Sequence, residues 1–317
     1  MTVRSCLQDP DLWPAIGMHK CNGVALCPSG LYGDMAVQVA QHIWRRNRWP
    51  NAELPGLSVR KMHIEKPIIA NPPGQGQAQW IEMEGICELP EASSGDIIDA
   101  TIHCHIRSVN GSKLQDLAYC AATYEWMPGC LDEWVSSTAS VKNKIASLYK
   151  RASTNPSSDV TLMNRETSYR LFRSFVDYGP LYQNMAEVVC DSQNLEGTAK
   201  LDFQPDPQSP NNGPYYLDGS CHLSGFICNA VEQDKDKNAY VSHGWEAMKM
   251  SNKFRPARGA DIRSYVQMKA MPNDKTVLCG DVYVLQDDDV VGVWEGVQFK
   301  RIPRRVLNIF LPPPKKG

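Results

Sequence analysis

His19 stands four residues before Gly23, and Pro28 follows five residues later at the mouth of an apolar run. An imidazole is a proton acceptor with an ordinary pKa of about 6.5, close to working pH. Gly23 leaves the backbone open to close approach by a substrate. Pro28 suits the first turn of a helix, where its missing N–H costs nothing, and the unpaired N–H groups of that turn can face a carbonyl oxygen gaining negative charge. The same residues also fit a surface histidine ahead of an ordinary helix. A second candidate pair lies far along the chain. Asp218 and His222 are four apart and share one face near the start of a second apolar helix. A carboxylate there is favoured as the anion by the helix dipole. It can accept a hydrogen bond, hold a histidine in one tautomer, or pass a proton to a leaving oxygen. Acidic residues are common in first helical turns, so Asp218 by itself is unremarkable.

Other chemistries have little to stand on. His103 and His105 share a strand face, as zinc ligands would, but no second ligand pair accompanies them, so no metal is expected. The chain has no Gly-x-Ser-x-Gly elbow, no Gly-x-Gly-x-x-Gly and no P-loop, which argues against α/β-type hydrolysis and nucleotide binding. A net charge of −2 over 317 residues argues against nucleic acid as the main partner. No apolar run approaches membrane-spanning length and no cleavable signal precedes His19, so no membrane role is expected. The eleven cysteines include no Cys-x-x-Cys pair and read as reduced core thiols of a cytoplasmic protein.

The elements that must position these residues fall into two similar units. Val3–Leu7 is strand-like with no preceding partner strand, so Met1 reads as a truncation point. Leu31–Arg46 reads as a helix, with Leu31, Met35, Val39 and Ile43 at helical spacing, basic residues in its last turn and Pro50 as its stop. Strand-like runs follow at Leu57–Ala70, Ala78–Leu89, Ile97–Arg107 and Gln115–Met127. These make an N-terminal unit over 1–127. Residues 128–164 turn polar and read as a linker, although Ser140–Arg151 has helical character. Residues 165–311 repeat the plan. Thr167–Val176 is a helix, Gln183–Cys190 and Glu196–Phe203 are strands, Asp206–Gly213 is a polar loop and Tyr215–Val231 is the second apolar helix. Strands resume at Ala239–Met250, Ile262–Ala270, Lys275–Gln286 and Val290–Phe299, with a polar turn at 286–290. Residues 312–317 begin a further linker. The halves share an architecture with little residue identity.

The words around these motifs carry a resemblance. HKCNGVALCPSGLYGDMA (19–36), VDYGPLY (176–182), YLDGSCHLSGF (216–226), SHGW (242–245) and FKRIPRRV (299–306) resemble the product template domain of fungal non-reducing polyketide synthases, in matching order over nearly the whole chain. The resemblance implies an α+β double hot-dog, two antiparallel sheets each wrapped around a central helix, with a dehydratase-like site between the units. It implies regioselective aldol cyclisation, dehydration and aromatisation of a poly-β-ketone thioester. His19 is then the general base, and Asp218 hydrogen-bonds and orients it. No cofactor is bound directly, since the substrate arrives on the phosphopantetheine arm of an acyl carrier protein. The implied partners are that carrier and the ketosynthase of the same synthase, with a homodimer as a further expectation. Gly23 offers its N–H to the thioester carbonyl, and Asn22 contacts the substrate or simply makes the turn. His222 supports Asp218 or is a satisfied helix histidine. Tyr178, Tyr182, Phe226, His243 and Trp245 line the chamber or form plain core. Arg301, Arg304, Arg305, Lys315 and Lys316, beside Pro312–Pro314, dock the carrier or are a solvated charge run. A double hot-dog hydroxyacyl-thioester dehydratase and a non-catalytic chain-binding module remain as alternatives.

Overall fold

The computed structural model of the chain describes residues 1–47, 54–89, 91, 100–110, 113–125, 127–154, 159–204, 213–231, 234, 236–251 and 253–312. The first half contains β1 (Thr2–Cys6), α1 (Trp13–Gly17), β2 (His19–Cys21), β3 (Val24–Ala25), α2 (Ser29–Asn47), β4 (Gly56–Ile64), β5 (Trp80–Glu88), β6 (Thr101–Asn110) and β7 (Lys113–Glu125). It is followed by α3 (Met127–Thr154), β8 (Val160–Asn164), α4 (Arg165–Phe172), β9 (Val176–Tyr178), β10 (Met185–Asp191), β11 (Glu196–Leu201) and α5 (Pro214–Phe226). The chain closes with β12 (Asn238–Met250), β13 (Ile262–Gln267), β14 (Lys269–Ala270), β15 (Val277–Gln286), β16 (Asp289–Pro303) and α6 (Arg304–Phe310).

The fold is an α+β double hot-dog in which the two sheets are fused. One antiparallel sheet runs β1-β5-β6-β7-β4-β12-β16-β15-β13-β11-β10-β8, and the halves meet where β4 pairs with β12. Gly244 permits this seam. Its φ is +131°, beside a bulge in β12, and a Cβ there would overlap the Met62 carbonyl oxygen of β4. Each half lays one helix against the inner face. α2 buries Leu31, Val39 and Ile43 of the expected stripe together with Ala36 and Ala40, while Met35, the fourth expected member, is half-buried. α5 is buried at every described position but Cys221 and continues into a π-helical turn at Ile227–Val231. Such a helix lies inside the protein rather than upon it. Asp287 and Asp288 take positive φ in the two-residue turn from β15 to β16, where a polar turn was expected.

Residues 128–164 are not the loose linker that their texture suggested. They form most of the 28-residue α3, then β8. Trp134, Val141, Ile145 and Leu148 lie on one stripe of α3 and pack on Val189, Tyr265, Leu285 and Val293 of the outer sheet face. Arg151 then ties the helix end to Asp191 and to Glu196, the latter at 2.9 Å. The stripe is about one residue wide per turn, which is why it reads as polar in sequence. α4 is shorter than expected. It is capped by Asn164, whose Oδ1 accepts from the Thr167 N–H at 2.9 Å, and it ends at Phe172, so Val176 belongs to a strand. That strand, β9, joins β2 and β3 in a separate three-stranded sheet ordered β3-β2-β9, built from both halves. Pro50, Ile97, most of the 206–213 loop and residues 313–317 lie outside the described residues. Among the described residues, no helix is long and apolar enough to cross a membrane.

Candidate active site

The small sheet positions His19. Asn22 and Gly23 form the two-residue turn between β2 and β3, with φ of 50° and 78°, while His19 pairs with Tyr178 of β9. The hairpin folds Leu26 back over His19, whose carbonyl accepts the Leu26 N–H at 2.9 Å. In return His19 Nδ1 lies 2.8 Å from the Leu26 carbonyl oxygen. A carbonyl can only accept, so Nδ1 carries the proton and the Nε2 lone pair is left as a base. The Tyr178 ring stands edge-on at 5.2 Å. Burial lowers the His19 pKa from 6.5, partly offset by the negative charge of Asp218, so the ring rests neutral.

Asp218 is the fifth residue of α5 and not part of its first turn, so its anion is supported from elsewhere. His222, one turn on, places Nε2 at 2.6 Å from Oδ2. The Gly30 N–H, in the first turn of α2, donates to Oδ1 at 3.4 Å. The positive end of α2 thus faces the carboxylate, where a substrate carbonyl had been expected. A Cβ on Gly30 would lie 2.7 Å from the Asp218 Cβ, so only glycine lets the two helices approach this closely. Burial alone would raise the Asp218 pKa. His222, His19 and the Gly30 N–H outweigh it and hold the carboxyl below its usual value, ionised. His222 is fixed in turn. Its Nδ1 lies 3.4 Å from the Tyr169 hydroxyl, which itself donates to the Tyr182 carbonyl at 2.9 Å and accepts from the Met185 N–H at 3.1 Å.

His19 and Asp218 share a cavity of about 670 Å³, with Tyr178, His222, His243 and Trp245 also on its walls. They do not hydrogen-bond to each other, so the expected orienting contact is absent. The Leu26 carbonyl orients the imidazole, and the charge of Asp218 raises its pKa without a hydrogen bond to it. Four other candidates lie off the cavity walls. Asn22 turns outward and its Nδ2 donates to Asn308 Oδ1 at 3.0 Å and to the Leu311 carbonyl at 2.6 Å. Gly23 sits in the same turn. Tyr182 is fully buried, with its hydroxyl donating to the Ala15 carbonyl at 2.7 Å. Phe226 packs edge-on against Phe172 with ring centroids 5.6 Å apart. Sequence reasoning missed Tyr32, Cys27 and Trp294 on the walls, although Cys27 and Tyr32 flank Pro28 within the first motif. Exposed Lys66, Lys300 and Phe310 also stand on the cavity walls. Arg301 and Arg305 are exposed nearby, Arg304 donates to the Ser174 carbonyl at 2.9 Å, and Lys315 and Lys316 lie outside the described residues. His103 pairs with Glu88 at 2.9 Å, and among the described residues no cluster of three or more His, Cys, Asp or Glu could hold a metal.

The proteins that this chain is similar to are polyketide synthases and dehydratase domains of such synthases. Residues 150–308 match the profile of the family described as polyketide synthase dehydratase N-terminal domain. A non-reducing polyketide synthase of Zymoseptoria tritici is 41% identical over 99% of this chain. The conidial yellow pigment biosynthesis polyketide synthase of Emericella nidulans is 34% identical over 99%. The chain spans 14% of the length of each of these relatives. Among solved structures, the dehydratase domain of PpsC from Mycobacterium tuberculosis superposes with a TM-score of 0.64 at 13% identity, covering 95% of this chain and 93% of that one. The dehydratase domain from the CurF module of curacin polyketide synthase gives 0.62 at 14% identity, covering 95% and 92%. These two share the double hot-dog fold. The chain belongs to the polyketide synthase dehydratase family, and it is similar to one segment of each of these fungal polyketide synthases.

Proposed function

We propose that this chain is a product template domain, which folds a carrier-bound poly-β-ketone and directs its first intramolecular aldol closure. The observation that carries the reading is a largely apolar cavity with the neutral His19 imidazole and the ionised Asp218 carboxylate both on its walls. A methylene between two ketones is acidic enough for an imidazole base. His19 Nε2 takes its proton, the resulting enolate carbon attacks a distal carbonyl, and the new C–C bond leaves an alkoxide that regains a proton. Asp218 stabilises the imidazolium formed in the first step, because its charge favours the protonated ring. In dehydration His19 removes a second methylene proton and returns one to the departing hydroxyl, releasing water. Enolisation then gives the aromatic ring. Proton transfer needs no redox partner, and the apolar walls supply orientation to a substrate that otherwise cyclises in several ways. The phosphopantetheine arm of the carrier would enter past Lys66, Lys300 and Phe310, beside the exposed Arg301 and Arg305, with the ketosynthase supplying the chain.

The test is reconstitution with a matching ketosynthase and carrier protein, followed by identification of the first ring. Wild type should give one ring pattern and His19→Ala should give spontaneous pyrones and shunt rings. Identical products from both proteins would end the proposal. The family match favours a second reading, dehydration of a β-hydroxyacyl thioester by the same two residues. Turnover of such a substrate, without any effect on poly-ketone cyclisation, would select it.

A further inference from the structure

Five buried side-chain oxygens have no hydrogen-bond partner among the described residues: those of Tyr32, Asp34, Ser58, Asn184 and Ser264. Of these residues Tyr32 alone lines the cavity. It is 1% exposed, so bulk water does not satisfy its hydroxyl. The Cys27 thiol and the Ile68 backbone lie close enough to act on the acidity of that hydroxyl, but neither reaches it at the distance and angle of a full hydrogen bond. The Cys27 thiol is turned toward the Pro28 carbonyl at 3.9 Å, and the Ile68 carbonyl already accepts the Cys27 N–H at 3.0 Å. A buried hydroxyl left unpaired costs stability, so a fold that retains one on a cavity wall has a use for it when the cavity is filled.

We infer that the Tyr32 hydroxyl is the hydrogen-bond donor for one ketide carbonyl oxygen, gripping the chain at a second point away from the reacting dyad. Helix geometry separates the two points. Gly30 and Tyr32 are two residues apart on α2, hence about 200° around its axis. Gly30 faces Asp218, so Tyr32 leaves the helix on the opposite flank, toward the segment after β4. Burial, with the neighbouring Cys27 thiol, raises the Tyr32 pKa well above the ordinary phenol value, which keeps it a donor throughout the working pH range. A poly-β-ketone offers an acceptor oxygen on alternate carbons, and a single donor at a fixed distance from the base selects which methylene reaches His19. Tyr32 is therefore a register-setting residue, an assignment that rests on the poly-ketone reading above.

The probe is a carbonyl-13C-labelled, gem-dimethylated diketo acyl pantetheine thioester, which cannot enolise at its blocked carbons and does not cyclise. Tyr32→Phe should weaken its binding by roughly tenfold. One labelled carbonyl band of the bound probe should move to higher infrared frequency. The ligand-free variant should melt no lower than wild type, since the lost hydroxyl was unpaired. Unchanged affinity and an unchanged band, with the probe bound, would overturn the assignment of Tyr32 alone. A lower melting temperature with unchanged binding would make the hydroxyl structural and overturn it as well. Failure of wild type to bind the probe would overturn the poly-ketone reading together with this inference. In reconstituted synthesis, Tyr32→Phe should retain ring formation while adding misregistered rings.

Discussion

The two halves of the molecule cover their sheets differently. In the second half, α5 fills the inner face and α3 lies on the outer one, so the sheet is sandwiched between helices. In the first half, α2 covers the inner face, while Ile86 at 51% exposure and Tyr119 at 45% remain open on the strands. The dyad follows this division. The carboxylate comes from the doubly covered half, on a helix buried nearly all round, with its hydrogen bonds completed by His222 and Gly30. The His19 imidazole comes from a three-stranded sheet beside the main one, tied down by the Leu26 carbonyl and by β9. A buried charge needs fixed partners, which a rigid core supplies. A neutral base needs one hydrogen bond and an open lone pair, which a small hairpin supplies.

That contrast can be broken with single substitutions. His19→Ala should have the largest effect on chemistry, on the order of a hundredfold to ten-thousandfold in directed cyclisation. Its melting temperature should stay near wild type, and product analysis beside a thermal melt checks both. Leu148→Ala should do the reverse. It opens a cavity under α3 and should cost about 2–5 kcal/mol of stability, read by denaturant unfolding, while the ring pattern is unchanged. If it altered the ring pattern instead, the outer cover would not be independent of the site.

Asp218→Asn should fall between these, with a loss on the order of tenfold to a hundredfold, the one or two pKa units that a nearby charge is worth. The pH dependence gives it a signature. Burial lowers the His19 pKa from 6.5, so the acid limb of the wild-type rate profile lies below pH 6.5 and activity falls as pH drops through it. The anion at Asp218 opposes that lowering, so its removal should move the limb to still lower pH. A limb moving upward would show that Asp218 does not act on His19 through its charge. The smallest effect belongs to Asn22→Ala. It removes the clamp between the β2–β3 turn and the C-terminal residues, for about 1 kcal/mol of stability, with the product unchanged.

Particular residues show how far the sequence could be read. The helix expected over Leu31–Arg46 is observed over Ser29–Asn47, because apolar residues at helical spacing reach one surface only when the chain is helical. Asp218 and His222, four apart, do meet, since helix geometry alone brings them to one face. Asn22 makes the turn, one of its two expected roles, and both it and Gly23 lie off the cavity because a turn's outward direction is set by what packs beneath it. α3 was legible only as helical character over Ser140–Arg151, because a one-residue stripe in a polar helix has no meaning until a second surface is placed against it. Tyr32 escaped because an unpaired hydroxyl exists only in relation to neighbours brought from Ile68 and Cys27.

The amino-acid order settled whatever depends on neighbours within a turn or a pleat: the two apolar helices, most strands, and the helix face that a carboxylate shares with the histidine one turn on. The tertiary structure decided what depends on packing between distant segments. It gave the orientation of His19 to a backbone carbonyl, which no side-chain pattern encodes, and it turned the N-terminus of α2 toward Asp218. It also separated the cavity walls from the core, because which face of an aromatic residue is left uncovered is a property of the assembled layers.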